Sequence, residues 1–571
     1  MNRSFIKKMG AIALAMVFFL FLAPFSAGAL TPVEVAKLVA SDGASGDFFG
    51  YSVAVDGDTA VIGAYGDRDY GANSGSAYVF SRIDGTWAQQ AKLTAPDGAA
   101  SDFFGYSVAV DGDTAVIGVL YDDDNGANAG AAYVFSRIDG TWMQQAKLTA
   151  SDGAAYDYFG ISVAVDGDTA VIGAHNDEDN GPSSGSAYVF SRISGTWAQQ
   201  AKLKAPNWAA GSLFGYSVAV DGDTAVIGAY GDYYYGTNSG AAYVFSRSGS
   251  TWEQQAKLTA PGGAANQYFG LSVAVDGDTA VIGAFGDGNY FNSGAAYVFS
   301  RSGGIWLQQA KLTASDEAAN DYFGYSVAVD GSTAVIGALY DDDNDFSNSG
   351  AAYVFSRSGG IWAQQAKLTA PDGASSDSFG CSVAVDGDTA AVIGVRYDDD
   401  KGTSSGSAYV FSLAPPDNDQ DGVPDDQDNC PDTPNPDQAD TDYDTLGDAC
   451  DVTFNAEAVI DVLEFECSSS IELLTAADPP GVKGMISKLT GNGGVAAKVA
   501  KAKNDYAKGK IEYHTYIDRL NAALNQLDAY DTQLEDKTDR GKIADTYALK
   551  LEQKSADMRK GIIEVIRHVM P

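Results

Sequence analysis

The sequence predicts a mainly β protein: a seven-bladed β-propeller of four-stranded antiparallel blades, followed by a spacer and a small C-terminal α-helical domain. A motif, FG followed closely by SVAVDG, recurs at spacings of 54 to 56 residues, beginning at Phe49, Phe104, Phe159, Phe214, Phe269, Phe323 and Phe379. One supersecondary unit is therefore repeated seven times. Each unit contains four strand-like runs, and four antiparallel strands repeated around an axis make a β-propeller.

The four runs of a unit are predicted strands. SVAVDG is short and mostly apolar, which favours a strand covered on both faces. An Asp-Gly turn, as at Asp56-Gly57, joins it to TAVIGA, and this dipeptide between two apolar runs is a strong hairpin signal. An Asp-rich loop then leads to GSAYVFSR. A Gly-containing turn leads to TWAQQAKLTA, whose mixture of apolar and polar residues predicts a more exposed strand.

The seventh copy of the unit is incomplete. It stops at Leu413, where earlier copies continue into the strand that contains Trp. Residues 33–40, VEVAKLVA, match the end of that missing strand. We therefore expect the N-terminal strand to complete the last blade and close the ring, because an open stack would leave an exposed edge at each end.

The repeated residues FG…SVAVDGD…VIGA…GAAYVF resemble FG-GAP repeats, which form the propellers of integrin α-subunits and of many secreted microbial proteins. The resemblance covers residues 30–414 and implies the propeller fold. Integrin-type blades often carry a calcium loop between the first two strands. In this chain that connection is the tight turn DGDTA, which is too short to wrap a cation. The calcium site of that family is therefore not expected here.

Acidic residues lie instead between the second and third strands. We expect this loop and the segment before the first strand to emerge on one face of the propeller. These loops are interpreted either as solvated segments that keep the protein soluble, or as a recognition face for a cationic ligand or weakly bound cations. The candidate residues are Asp122, Asp123, Asp124, Asp177, Asp179, Asp341, Asp342, Asp343, Asp398, Asp399 and Asp400.

The spacer, residues 415–451, is predicted to bind Ca²⁺. It contains the D-x-D-x-D-G spacing of a calcium loop at Asp417, Asp419, Asp421, Asp425 and Asp428. The same offsets recur, with Thr445 in place of Gly, at Asp440, Asp442, Asp444, Asp448 and Asp451. The run, with its DNCP and GDAC elements, resembles a thrombospondin type 3 repeat, which implies calcium binding and a Cys430–Cys450 disulfide. The alternative is an acidic disordered linker.

The two ends of the chain have distinct compositions. Residues 1–29 read as a secretory signal, with basic residues, an apolar run too short to span a membrane, and small residues before the cleavage point. No other apolar run predicts a transmembrane segment. Residues 452–571 are rich in Ala, Leu, Lys and Glu with helical spacing, and predict an α-helical domain. That domain is either a packed unit without chemistry of its own or an attachment module.

No sequence motif predicts catalysis. The three histidines, His175, His514 and His568, are far apart in the sequence, and neither a nucleophile elbow nor a zinc-protease motif is present. Cys381 occupies a repeat position held elsewhere by Tyr, Ile or Leu, and is expected to be a buried free thiol. The state of Cys467 is left open. The net charge of -40 disfavours nucleic acid and anionic lipid as partners.

The sequence therefore predicts a secreted or cell-surface-associated, non-catalytic calcium-binding protein. Its propeller would mediate adhesion or cell-surface and matrix interaction through the acidic loops, with an extracellular protein or glycan as partner. One alternative is a carbohydrate-binding or carbohydrate-active propeller that uses an aromatic patch around Trp208 and Tyr233–Tyr235. The other alternative is a structural surface protein.

Overall fold

A computed structural model describes residues 32–205, 210–342, 346–387 and 390–414. Beyond these ranges it describes residue 423, residues 428–430 and 433–436, and seven isolated residues: Val495, Lys498, Lys501, Ala522, Ala523, Asn525 and Ser555. The chain divides into two compact units, Met1–Ala414 and Pro415–Pro571. Each unit is described by itself.

The first unit contains seven four-stranded sheets in its described residues. Blades 1 to 3 contain β2 (Ser52–Asp56), β3 (Thr59–Ala64), β4 (Ser76–Ile83) and β5 (Thr86–Leu93); β6 (Phe104–Asp111), β7 (Thr114–Val119), β8 (Ala131–Ile138) and β9 (Thr141–Leu148); and β10 (Phe159–Asp166), β11 (Thr169–Ala174), β12 (Ser186–Ile193) and β13 (Thr196–Leu203). Blades 4 and 5 contain β14 (Val218–Asp221), β15 (Thr224–Ala229), β16 (Ala241–Ser248) and β17 (Thr251–Leu258); and β18 (Val273–Asp276), β19 (Thr279–Ala284), β20 (Ala295–Ser302) and β21 (Ile305–Leu312). Blades 6 and 7 contain β22 (Phe323–Asp330), β23 (Thr333–Ala338), β24 (Ala351–Ser358) and β25 (Ile361–Leu368); and β26 (Phe379–Asp386), β27 (Ala390–Val395), β28 (Ser407–Ser412) and β1 (Val33–Leu38).

The N-terminal strand closes the ring, as the sequence predicts. Strand β1 pairs antiparallel with β28, with Val33 opposite Ser412 and Leu38 opposite Ala408. Blade 7 therefore has the strand order β1-β28-β27-β26, and it combines the two ends of the propeller sequence. This pairing gives the last blade the same four strands as the others and covers the edge that β28 would otherwise expose.

The strands differ in burial according to their place in the blade. The second strand, for example Thr59–Ala64, is buried at every position. The first strand, Ser52–Asp56, is mostly half-buried, because the first strands of all blades surround the central axis. The prediction that the SVAVDG strand is covered on both faces is therefore wrong. The TAVIGA strand is the one that is covered on both faces. The outermost strand, Thr86–Leu93, mixes exposed, half-buried and buried positions, and is more exposed than the second strand, as expected.

The hydrophobic core lies between blades. One cluster joins Ile62 and Tyr78 of blade 1 to Val392 and Val410 of blade 7, and all four side chains are buried. Equivalent clusters occur between each pair of adjacent blades. A single blade cannot bury its own apolar faces, so the blades depend on one another for stability.

The propeller has two different ends. The turns after the first and third strands, such as residues 57–58 and 84–85, lie at the end that we call the turn face. The pre-strand segment (residues 39–51 in blade 1) and the long loop (residues 65–75 in blade 1) lie at the opposite end, the loop face. Both long connections therefore emerge on one face, as the sequence predicts.

The turn face is held together by a ring of hydrogen bonds between blades. The backbone N–H of Gly112 in blade 2 donates to the Asp56 carboxylate of blade 1, at 2.6 Å. The same bond recurs at each blade boundary, and Gly57 closes the ring by donating to Asp386 at 3.0 Å. The Asp of each VDG motif therefore links neighbouring blades through a hydrogen bond.

The second unit is described at few positions. Cys430 is buried, and the seven isolated residues from Val495 to Ser555 have helical backbone. The C-terminal helical domain stays a prediction, because most of residues 452–571 lie outside the described part of the chain. No helix among the described residues has both the length and the apolar character to cross a membrane.

Candidate recognition face

The loop face is built around lysine side chains from the outermost strands. The ammonium group of Lys92 lies 2.7, 2.9 and 2.6 Å from carboxylate oxygens of Asp42, Asp67 and Asp69. Asp42 belongs to the pre-strand segment, whereas Asp67 and Asp69 belong to the long loop. Lys92 therefore ties both connections of blade 1 to its outermost strand. We call this arrangement a lysine hub.

Among the described residues, three other blades repeat the complete hub, and in blade 6 Lys367 contacts Asp316 and Asp341. Lys147, Lys202 and Lys37 each contact three carboxylates, in blades 2, 3 and 7. Lys37 comes from the N-terminal strand, so ring closure also completes the seventh hub. In blades 4 and 5 the hub is reduced, since Lys257 contacts Asp232 and Lys311 contacts Asp287 among the described residues. Tyr234 and Asn289 replace the outer long-loop acid in these two blades.

The central carboxylate of each complete hub is buried. Asp67 is 4 % exposed and accepts a hydrogen bond of 2.7 Å from the hydroxyl of Tyr78. At the hub's outer position, burial alone would raise the pKa of Asp42. Hydrogen bonds from Lys92 and Tyr78 outweigh that effect, and the pKa of Asp42 lies below its ordinary value. The hub thus favours the charged form of Asp42.

These contacts revise the predicted ligand face. Asp122, Asp177, Asp341 and Asp398 occupy the central hub position, where each is buried and pairs with a lysine. These four side chains attach the loops to the outermost strand, and the role of the candidate residues as a ligand or weak-cation face stays a prediction. The exposed candidates are Asp123, Asp124, Asp179, Asp342, Asp399 and Asp400, and Asp343 lies outside the described residues.

Carboxylate spacing in the hub resembles that of a metal site. One oxygen each from Asp42, Asp67 and Asp69 lies within 4.8 Å of the others. The Lys92 ammonium contacts all three, so the chain supplies its own cation at this position. Coulomb attraction to that ammonium offsets the repulsion between the carboxylates.

Exposed acids border two clefts on the loop face. A cleft of about 620 Å³ in blade 7 is lined by Asp372, Asp399 and Asp400 among others. A second cleft of about 630 Å³ in blade 3 is lined by Asp152, Asp179 and neighbouring residues. Both clefts lie between a pre-strand segment and a long loop, so part of the predicted ligand face does surround open space.

A ring of aromatic side chains surrounds the axis on the loop face, and the sequence reasoning missed it. Consecutive ring centroids lie 4.6 to 6.1 Å apart. We call this ring the axial collar, and it contains Phe48, Tyr65, Phe103, Tyr121, Tyr158, His175, Tyr216, Tyr230, Tyr268, Phe285, Tyr322 and Tyr340. The recurring FFG and YFG in the sequence are a signal that points to it.

The collar contains strained backbone. The residue before each repeated FG has a positive φ, for example 56° at Phe48, 63° at Phe103 and 59° at Tyr322. Large side chains rarely adopt this conformation, and such strain concentrates at functional sites. His175 stacks on Tyr158, and burial lowers the pKa of His175 to about 4, so its imidazole is neutral at pH 7.

Blade 7 interrupts the collar. Ser378, Cys381 and Arg396 replace residues that are aromatic or apolar in most other blades. The Arg396 guanidinium lies 4.8 Å from the ring centroid of Tyr397 and 5.8 Å from that of Tyr51. Cys381 is a buried free thiol, as the sequence predicts, and its sulfur lies 3.4 Å from the carbonyl oxygens of Gly50 and Gly394.

Comparison with known families matches seven segments to the FG-GAP repeat: residues 32–80, 87–135, 142–190, 197–245, 252–299, 306–355 and 362–411. The chain belongs to the FG-GAP repeat family. Each matched FG-GAP segment begins with the outermost strand of one blade and ends with the third strand of the next. The FG-GAP repeat therefore straddles two blades, which explains why the first one supplies a strand to blade 7. No curated protein matches the chain.

Most of the predicted calcium residues of this FG-GAP protein lie outside the described residues. The exception is Asp428, whose carboxylate accepts a hydrogen bond of 2.8 Å from the backbone N–H of Cys430. Cys450 also lies outside the described residues, so its pairing with Cys430 stays a prediction. The thrombospondin type 3 resemblance and calcium binding likewise stay predictions.

The predicted aromatic patch is described in part. Tyr233, Tyr234 and Tyr235 are exposed, with the rings of Tyr234 and Tyr235 4.7 Å apart. Tyr290 and Phe291, in the equivalent loop of blade 5, are also exposed. Trp208 lies outside the described residues.

Proposed function

We propose that this FG-GAP protein is an exported, non-catalytic recognition protein that binds an extracellular protein or glycan through its loop face. FG-GAP propellers are typical of adhesion and surface-interaction proteins. The observation that carries the proposal is the contrast between the two ends. The turn face has short, nearly uniform turns, whereas the loop face has long connections whose exposed residues vary between blades.

The lysine hubs support this role. They attach both long connections to the outermost strand, so exposed acids such as Asp123, Asp179 and Asp399 extend from anchored loops. Loops on a rigid scaffold are the usual place for recognition. Residues 30–416 carry 45 acids and 17 bases, and charges on neighbouring loops add within a Debye length of about 8 Å. The face therefore favours a cationic partner, or an anionic partner bridged by calcium.

The test neutralises exposed acids without breaking hubs. Asp123, Asp342 and Asp399 are exposed, and each accepts a backbone hydrogen bond that an Asn oxygen can also accept. The triple variant Asp123→Asn, Asp342→Asn and Asp399→Asn should weaken binding of the full chain to arrayed glycans and immobilised matrix proteins, with polylysine as a cationic reference surface. The control makes the same charge change on the turn face, at Asp84, Asp113 and Asp139.

Unequal effects of the two triple variants support the loop face as the binding surface. Equal binding by both variants and the parent would show that the exposed acids of the loop face do not contribute to binding. Binding to none of the surfaces would favour the structural alternative. We further propose that the signal peptide exports the protein and that Ca²⁺ orders residues 417–451, on the basis of their sequence patterns.

A second candidate function is carbohydrate binding through blades 4 and 5. Five aromatic side chains are exposed in their long loops, with Tyr234 69 % and Phe291 77 % exposed. Exposed aromatic rings are suited to stacking on sugar faces. Replacing Tyr234 and Phe291 with Ser should abolish glycan-array binding while leaving polylysine binding unchanged if this candidate is correct.

A further inference from the structure

A pocket lies on the axis of the propeller. Its volume is about 250 Å³, and residues from all seven blades line it. Tyr51, Tyr106, Tyr216 and Tyr325 contribute phenol rings from blades 1, 2, 4 and 6. Ile161 of blade 3 and Leu271 of blade 5 supply apolar walls at the same repeat position. The pocket is thus smaller than the clefts of the loop face.

Among the described residues, those that line this pocket include no carboxylate, although the chain has 76 acidic residues. Burial raises the pKa of Tyr51, Tyr106, Tyr216 and Tyr325, so their hydroxyl groups stay protonated at neutral pH and remain hydrogen-bond donors. Most serines in the pocket wall donate to glycine carbonyls of the next blade, as Ser162 does to Gly215 at 2.9 Å. The tyrosines and Arg396 therefore define the chemistry of the pocket.

Arg396 has an exceptional environment. Five repeated arginines of the third strands pair with a turn-face carboxylate, as Arg137 does with Asp113 at 2.6 Å. Among the described residues Arg396 forms no ion pair, and its Nε is buried without a hydrogen-bond partner. A partly buried guanidinium without a counter-charge is unfavourable, and an anion that enters the pocket would remove this cost.

We propose that the axial pocket binds a small organic carboxylate whose body is a single six-membered ring. The Arg396 guanidinium would hold the carboxylate, since a planar fork of N–H donors matches its two oxygens. The tyrosine rings would pack against the body of the ligand, and their hydroxyl groups would donate hydrogen bonds to it. The volume of the pocket limits the ligand to about the size of a monosaccharide.

This site is separate from the proposed binding surface of the loop face, and it selects the opposite charge. Two classes of ligand have a carboxylate on a six-membered ring: sugar acids and aromatic acids. Titration calorimetry with the full chain distinguishes them, using glucuronate against glucose and benzoate against benzyl alcohol. At least one acid should bind at least tenfold more tightly than its neutral counterpart.

Two variants take their side chains from other blades. Arg396→Leu introduces the residue found at the buried equivalent positions Leu120 and Leu339. Cys381→Tyr introduces the residue found at the equivalent positions of blades 1, 2, 4 and 6, and fills the pocket. Each variant should weaken carboxylate binding at least tenfold. Arg68→Leu, which removes an exposed arginine from the loop face, should bind as the parent does.

Equal affinity of the parent for the acids and their neutral counterparts would overturn the proposal, and this comparison requires no variant to fold. Failure of both acids to bind would overturn it as well. Unchanged carboxylate affinity of the Arg396→Leu variant would also overturn it. Absence of loop-face binding by the parent protein, with carboxylate binding retained, would contradict the proposed function and leave the axial site in place.

Discussion

At the residue scale, a lysine in the outermost strand decides how the loop face is organised. In blade 3, the Lys202 ammonium contacts Asp152, Asp177 and Asp179 at 2.6 to 2.8 Å, and Asp177 is buried. Lys204, two residues further on, contacts Asp179 and is more exposed. The two lysines have the same charge and different structural importance.

This difference gives a matched prediction. Lys202→Ala should lower the free energy of unfolding by about 3 kcal/mol, because it leaves buried Asp177 without its counter-charge. Lys204→Ala should cost less than about 1 kcal/mol, as is usual for an exposed pair. Urea unfolding followed by tryptophan fluorescence measures both, since all seven tryptophans belong to residues 30–414. Equal losses would show that the hub contributes no more than a surface ion pair.

Buried acids in the pre-strand segments set the response to pH. Burial raises the pKa of Asp102, Asp321 and Asp377 to about 6, from 3.8. Because the folded state favours their protonated form, their stabilising contribution is complete below about pH 3.8 and is lost as the pH rises through 6. Burial lowers the pKa of His175 to about 4, from its ordinary value of 6.5. Acidification below pH 6.5 therefore destabilises the folded state through His175, which opposes the stabilising effect of the three acids.

We therefore expect the propeller to melt at a higher temperature at pH 5 than at pH 7. Hub acids such as Asp42 and Asp152, whose pKa values are lowered despite burial, lose their contribution below about pH 4, where stability should fall. Asp102→Asn removes one titrating group and should reduce the difference between pH 5 and pH 7. A melting temperature that declines steadily from pH 7 to pH 5 would contradict the assignment.

At the element scale, strand β1 is the piece on which the ring depends. It pairs with β28 along five residue pairs and carries Lys37 to the hub of blade 7. Its sequence also differs from the other outermost strands at one repeat position. Val35 stands where other outermost strands have Gln, and the indole N–H of Trp87 has no hydrogen-bond partner among the described residues, whereas Trp142 donates to Gln90 at 3.0 Å.

Deleting residues 31–40 should destabilise the propeller by more than about 3 kcal/mol, because buried Asp398 loses Lys37 and β28 becomes an open edge. Exposure of that edge should also cause aggregation at high protein concentration. Thermal melting and light scattering measure the two effects. The control is a chain that begins at residue 30, and a deletion variant that melts with this control would disprove the role of β1 in closure.

The spacer gives the second prediction for an element. Residues 417–451 contain 13 Asp and no Lys or Arg, so they should become ordered when Ca²⁺ neutralises them. Calcium should protect this segment of the full chain from proteolysis, with half-protection at about 10⁻⁴ to 10⁻³ M. Chelator should remove the protection, and Mg²⁺ serves as the control cation. Cleavage at the same rate with and without calcium would favour the disordered linker.

At the scale of the whole molecule, the loop face is divided into two arcs. Among the described residues, complete lysine hubs occur in the consecutive blades 7, 1, 2 and 3, and in blade 6 Lys367 contacts Asp316 and Asp341. The long loops of these five blades are acidic. Blades 4 and 5 have reduced hubs and exposed aromatic side chains. One ring-shaped scaffold thus presents a charged surface and an apolar surface side by side, with the axial pocket between them.

The sequence by itself determined the number of blades, the order of strands and the closure of the ring. These follow from local patterns: a period of 54 to 56 residues, Asp-Gly turns, and a strand at Val33–Leu38 that matches a missing partner. It did not separate the two apolar strands of each blade, because both SVAVDG and TAVIGA have the composition of buried strands. Only the tertiary structure shows that the SVAVDG strand faces the axis and is half-buried, whereas the TAVIGA strand lies inside the sheet and is fully buried.

Tertiary structure alone decided which acids hold the fold and which face solvent. Asp122 and Asp123 are neighbours in one acidic run, yet Asp122 pairs with Lys147 inside the blade and Asp123 is exposed. That pair joins residues 25 positions apart, and the axial pocket joins residues from seven blades. Such contacts depend on the closed ring, whose geometry brings distant repeat positions together, and so no local sequence pattern could predict them.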